Sequence, residues 1–340
     1  MFHENRLHDD RSLLDAILGD GRPLLLLTGL ILIISGAFAI FQASTGHFLP
    51  HDAYFLGMSA AELCAYYECR ILHFMVHDRI AFAGALVAIG TLYLWLAEFP
   101  LRQGYGWVWW AFLLSGLAGF ASFLTYLGYS YLDTWHGIAT LGLLPCWAIG
   151  LARAYPHVQH TTLRQLWQQP APPLQWRNRI GVGRWLLLMT VAGLLGAGLF
   201  ILFGGMTRVF VPQDMHYMGL TVADLHAISP QLVPLIAHDR SGFGGGLFAV
   251  GIVMGFCVWF GRPSRNLWQA LLVAGTFGFG CALGVHFPIG YHNFVHLLPA
   301  YAGVVVFVLG MWLSYPSMVQ HVDAPGFGSI KPSSPPREAL

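Results

Sequence analysis

The chain has 340 residues, of which 56% are hydrophobic and 14% aromatic but only 10% charged, with a mean hydropathy of +0.59. So little polar surface cannot coat a water-soluble globule of this length, and the composition points to an integral membrane protein. A formal net charge of +1 spread along the chain gives no signal of nucleic-acid binding.

In chain order, uncharged runs close to the ~20 residues that a helix needs to cross a bilayer lie at about 24–43, 80–97, 107–129, 135–152, 185–203, 242–260, 267–287 and 294–315. Eight spans are expected. The stretches around the second and sixth are versions of one sequence: residues 49–90 read LPHDAYFLGMSAAELCAYYECRILHFMVHDRIAFAGALVAIG and residues 211–251 read VPQDMHYMGLTVADLHAISPQLVPLIAHDRSGFGGGLFAVG. Asp52 matches Asp214, Gly57 matches Gly219 and Glu62 matches Asp224, and the triplet His77-Asp78-Arg79 returns as His238-Asp239-Arg240. An internal duplication of a four-span unit follows. The expected fold is an all-α integral membrane protein whose eight transmembrane helices form two tandem-repeat four-helix bundles. Its parts are an N-terminal arm over 1–22, a first repeat over 23–153, a linker over 154–184, a second repeat over 185–315 and a flexible tail over 316–340.

Basic residues set the expected orientation. With the N-terminus cytoplasmic, the inner segments hold thirteen arginines and lysines and the outer ones only Arg70, Arg79, Arg208 and Arg240. That bias places both termini in the cytoplasm of a cell bounded by this membrane. Ala37-Phe38-Ala39 has the look of a signal-peptide cleavage site, but the match of the first span to the fifth argues that it is retained. The basic residues of the linker need no role beyond topology.

The long outer loops each carry a capping box, Ser59 with Glu62 and Thr221 with Asp224, so a short outer helix is expected ahead of each HDR triplet. Pro230 and Pro234 interrupt or kink the second. Of sixteen histidines, His73, His77, His136, His238, His286, His292 and His296 fall near the outer ends of the spans. The duplication sorts them: His77 matches His238, and His136 in DTWHG matches His296 in NFVHL, one histidine on each even-numbered span. Two helices that each offer an imidazole can ligate a heme iron from both faces, which gives one bis-histidine heme per half, His77 with His136 and His238 with His296. Arg79 and Arg240 stand where heme propionates could pair with them. Read otherwise, HDR is an interfacial helix-start motif whose aspartate favours the positive helix end and whose arginine snorkels to headgroups.

A rival metal reading uses the i,i+4 pairs His73/His77 and His292/His296 as a diiron or zinc site. His47, His51, His216, His226 and His286 read as interfacial. The small residues after each HDR, Phe82-Ala-Gly84 and Phe243-Gly-Gly245-Gly246, permit close approach of a helix or of a flat macrocycle. Cys64 and Cys69, five residues apart, can form a disulfide only where the helix breaks between them; otherwise they pack as small apolar residues. Cys146, Cys257 and Cys281 lie in spans and read as packing.

The eight spans, the outer-end histidines on spans 2, 4, 6 and 8, the long loops after spans 1 and 5 and the cysteine pair in the first of them together resemble the heme A synthase family. The resemblance implies a substrate heme between His77 and His136, a heme b held by His238 and His296, oxidation of a heme methyl group, and a participating carboxylate in the first outer loop. Glu68 is the nearest candidate, because Phe74 stands three positions before His77 and Asp78 separates His77 from Arg79. A heme-modifying oxidoreductase is therefore the leading expectation. A diheme electron-transfer protein with a quinol or a protein redox partner is the second, and a non-heme transporter or structural membrane protein the third. Membrane lipid is the common partner in all three.

Overall fold

The computed structural model describes residues 12–129, 131, 133–168 and 178–320. Most of the arm, the 169–177 part of the linker and the tail beyond 320 lie outside the described residues. Eight helices are long and apolar enough to cross a membrane. They are α1 (Arg22–Ser44), α2 (Arg70–Leu96), α3 (Gly106–Phe123), α4 (Thr134–Ala154), α5 (Arg179–Met206), α6 (Leu232–Phe260), α7 (Arg265–Gly284) and α8 (Phe294–Tyr315). Among the described residues there is no strand. The last helix continues as a short π-helical turn, Pro316–Gln320, where the sequence suggests tail.

α2 and α6 begin about ten residues before their uncharged runs, so both HDR triplets lie inside long helices instead of at their starts. Pro234 is tolerated in the first turn of α6, where its missing N–H has no intrahelical partner to lose, and Pro230 falls in the break before it. Both capping boxes form, on the short helices Ala60–Cys64 and Val222–Ile228. The chain breaks between Ala60–Cys64 and α2 at Tyr67, Glu68 and Cys69, all with positive φ, and Cys64 and Cys69 are joined there by a disulfide.

Packing follows the order α1, α2, α7, α8, α5, α6, α3, α4 and back to α1, with α2 and α6 also in contact across the middle. This arrangement interleaves the two halves of the chain, whereas two bundles in tandem would set α2 against α3 and α6 against α7. Glycine makes the contacts between the halves close. A Cβ on Gly84 of α2 would sit 2.5 Å from the Cβ of Cys281 on α7, and one on Gly245 of α6 would sit 2.1 Å from the Cβ of Ser122 on α3. Of the two readings of these small residues, helix packing is the one seen at Gly84 and Gly245. Two compartments result, one walled by α1, α2, α3, α4 and α6, the other by α2, α5, α6, α7 and α8. The loops that carry the two capping boxes close over both through an apolar cluster that includes Leu56, Leu63, Phe74, Phe210, Met218, Leu225 and Tyr291.

Candidate functional site

Each compartment contains a histidine cluster at the end of the bundle covered by these loops. The pairing expected within each half does not occur. His77 meets His286 and His296, and His136 meets His238, because α2 lies against α7 and α6 against α3. Ring centroids are 5.6 Å apart for His136 and His238, 6.1 Å for His77 and His296, and 4.4 Å for His77 and His286.

In the first cluster Asp133 caps α4 by accepting from the backbone N–H of His136, and its other oxygen lies 2.8 Å from Nδ1 of His136. His51 Nε2 is 3.0 Å from Asp133, and Nε2 of His238 lies 3.9 Å from it. Burial alone would raise the Asp133 carboxyl, but the hydrogen bonds from His136 and His51 hold it well below the usual carboxylate range. His51 shifts the other way: burial lowers it, and the Asp133 carboxylate more than restores it. A cavity of about 180 Å³ adjoins this cluster, lined by Gln42, Arg79, Phe82, His136, His238 and Gly242 among others. A Cβ on Gly242 would meet nothing within 4 Å, so this glycine leaves room in the cavity. Phe38 of α1 and Trp135 of α4 also line it and are about half exposed, their rings 6.3 Å apart. At the opposite end the same two helices close tightly, with a Gly21 Cβ falling 2.2 Å from the Gly150 carbonyl. The cavity therefore borders the surface between α1 and α4, where Phe38 and Trp135 stand half exposed.

The second cluster is more closed. His77 Nδ1 lies 2.9 Å from the Asp78 carboxylate, the Tyr291 ring stacks on His296 at 4.6 Å, and the Asn293 side chain caps α8 at the His296 N–H.

The two arginines of the HDR triplets are already engaged with carboxylates. Arg79 donates to Asp52 and Asp239, and Arg240 to Asp214 and the Val209 carbonyl, with Asp78 3.8 Å from its Nε. Tyr131 donates to Asp52 and Tyr291 to Asp214, completing two matching networks. Burial raises the Asp52 carboxyl, but Arg79 and Tyr131 more than offset this and hold it below its ordinary value. Arg79 still lines the cavity. Arg240, paired with Asp214 and the Val209 carbonyl, is not among the residues that line this cavity. Glu68 touches neither cluster: it is 78% exposed and paired with Arg70 in the disulfide-closed turn. The carboxylates beside the imidazoles are Asp133 in the first cluster and Asp78 in the second.

Among the described residues, neither His73/His77 nor His292/His296 forms a metal-ligating group. His73 and His77 share a face of α2, whereas His292 precedes the start of α8, and the neighbouring helices bring their ligands only to His77 and His296. His286, expected to be interfacial, is buried in the second cluster. Nothing in the repeat marks it, because its place in the other half has no histidine; its one signal is its position at the histidine-rich end of the seventh span.

Comparison with protein-family models, curated proteins and solved structures returns no match.

Proposed function

We propose that this protein is a heme-binding membrane oxidoreductase, with a heme seated in the first compartment between His136 and His238 near the outer face of a cell membrane. One observation carries the reading: two imidazoles from different helices come within 5.6 Å of each other, centre to centre, beside a cavity that both of them line. His136 and His238, brought together from α4 and α6 with their ring centres 5.6 Å apart, would be the residues that hold the heme iron. The residues present therefore fit the group. Once bound, a heme supplies an iron that can cycle between two oxidation states.

The chain's own residues prepare that place. Asp133 takes the Nδ1 hydrogen of His136, which fixes the ring and leaves Nε2 free as a ligand. Phe82 and Phe123 pack around the same ring, and Arg79, tied to two carboxylates, brings a guanidinium to the cavity wall. On this reading the chain is a duplicated four-span unit, with each copy's third helix packed on the other copy's second.

The resemblance to heme A synthase supplies the chemical version of the proposal, oxidation of the bound heme. A specific observation favours the second reading, electron transfer without modification: the carboxylate expected to act, Glu68, is exposed and away from the cavity. The experiment is a visible absorption spectrum of the purified protein, with extraction and chromatography of its heme. The proposal expects a sharp Soret band that is lost in the His136→Ala/His238→Ala double variant. Full Soret intensity in a folded double variant refutes it, and unmodified heme recovered from active cells selects electron transfer.

A further inference from the structure

The second compartment has a feature that the duplication does not explain. It holds three imidazoles, from His77, His286 and His296, with a ring nitrogen of each within 4.8 Å of the others. His286 is only 4% exposed, and neither of its ring nitrogens completes a hydrogen bond, although the Ala282 carbonyl one turn earlier acts on the ring. A polar ring buried without a well-formed hydrogen bond costs free energy, and buried polar groups in folded proteins nearly always find a partner. The His286 ring packs edge-on against His77 at 4.4 Å, between His77 and His296, where a flat macrocycle spanning those two would have to lie.

We propose that this second cluster is a binding site for a late first-row transition-metal ion, copper or zinc, held by His77, His286 and His296. The chemistry of the donors fits. His77 turns Nδ1 to the Asp78 carboxylate, which leaves Nε2 for a metal and makes it a stronger donor. Tyr291 is no ligand, because its hydroxyl is committed to Asp214; it stacks on His296 and fixes that ring instead. Three neutral imidazoles without thiolate or carboxylate suit copper and zinc over calcium or magnesium. Asp78 and Asp214 face the single guanidinium of Arg240, leaving one excess negative charge beside the imidazoles to favour a cation. A metal about 2.0–2.1 Å from each nitrogen sets them roughly 3.3 Å apart, so the three rings close by about 1.5 Å at most on binding. Side-chain rotation covers that distance.

The test uses the full chain in detergent, loaded separately with Zn²⁺ and with Cu²⁺ or Cu⁺, passed through a desalting column and assayed for metal per chain. One equivalent of at least one ion is expected to remain. His286→Ala and His296→Ala should each lower retention at least tenfold, with His286→Gln as the variant that keeps a polar side chain of similar length if the alanine variant unfolds. The Soret band assigned to His136 and His238 should persist in every His286 variant, so loss of the heme reading and loss of this one are separable. Retention below a tenth of an equivalent for both ions in the folded wild-type chain overturns the proposal. So does unchanged retention in folded His286 variants, or a second bis-histidine heme per chain that survives in them.

Discussion

Arg79 donates from Nε to the Asp239 carboxylate at 2.7 Å, joining residues 160 positions apart on the two helices in contact across the middle of the bundle. The same guanidinium holds Asp52, so a single side chain ties α2, α6 and the first outer loop together.

Removing one member of a buried ion pair leaves the other uncompensated. Because Arg79 keeps Asp52, Asp239→Asn is expected to cost about 2 kcal/mol, somewhat less than the usual loss for a buried pair. Asp20→Asn, which breaks the partly exposed pair with Arg22, should cost under about 0.5 kcal/mol. Thermal unfolding in detergent measures both, and equal losses would show that the central pair adds nothing.

The contact between His51 and Asp133 should depend on pH. His51 is raised above its ordinary value by Asp133, so the stability it contributes is fully present below about pH 6.5 and is lost as pH rises through the folded value. Asp133, held low, stays ionised throughout this window. His51→Gln is therefore expected to lower the melting temperature more at about pH 5.5 than at about pH 9. A difference that is flat or reversed across that range counts against the ion pair.

Two glycines three residues apart should respond differently. A side chain on Gly245 runs into Ser122 of α3, so Gly245→Val is expected to destabilise the fold by about 1–3 kcal/mol. Gly242 borders the cavity with no neighbour at its Cβ position, so Gly242→Phe should fold and fill the space beside His136 and His238. The readouts are melting temperature and Soret absorbance. Heme retained at wild-type level in Gly242→Phe would move the site elsewhere.

Orientation can be checked with single cysteines in a background where Cys146, Cys257 and Cys281 are replaced by alanine. Tyr54 is exposed in the first outer loop and Arg164 in the linker. Tyr54→Cys is expected to react with an impermeant thiol reagent on intact cells and Arg164→Cys only after lysis. The opposite pattern would put both histidine clusters on the cytoplasmic side.

Local rules made much of this molecule legible in the sequence. Apolar runs of bilayer length marked all eight membrane helices, because a chain in lipid must satisfy its backbone within each segment. The Ser59/Glu62 and Thr221/Asp224 boxes announced their short helices through contacts only three residues long. The repeat singled out His77, His136, His238 and His296, all of which reach a buried cluster.

Which of them meet was decided only by the tertiary structure. Repeats read along the chain suggest that each half closes on itself, but Gly84 and Gly245 let α2 and α6 approach helices of the other half more closely than any side chain would permit. That choice separates His77 from His136, brings in His286, and makes Arg79, partly buried, and Arg240, buried, links between carboxylates. Sequence pattern reports which face of a helix is apolar or polar; the partner of that face depends on close packing between segments up to about 200 residues apart, which no local period encodes.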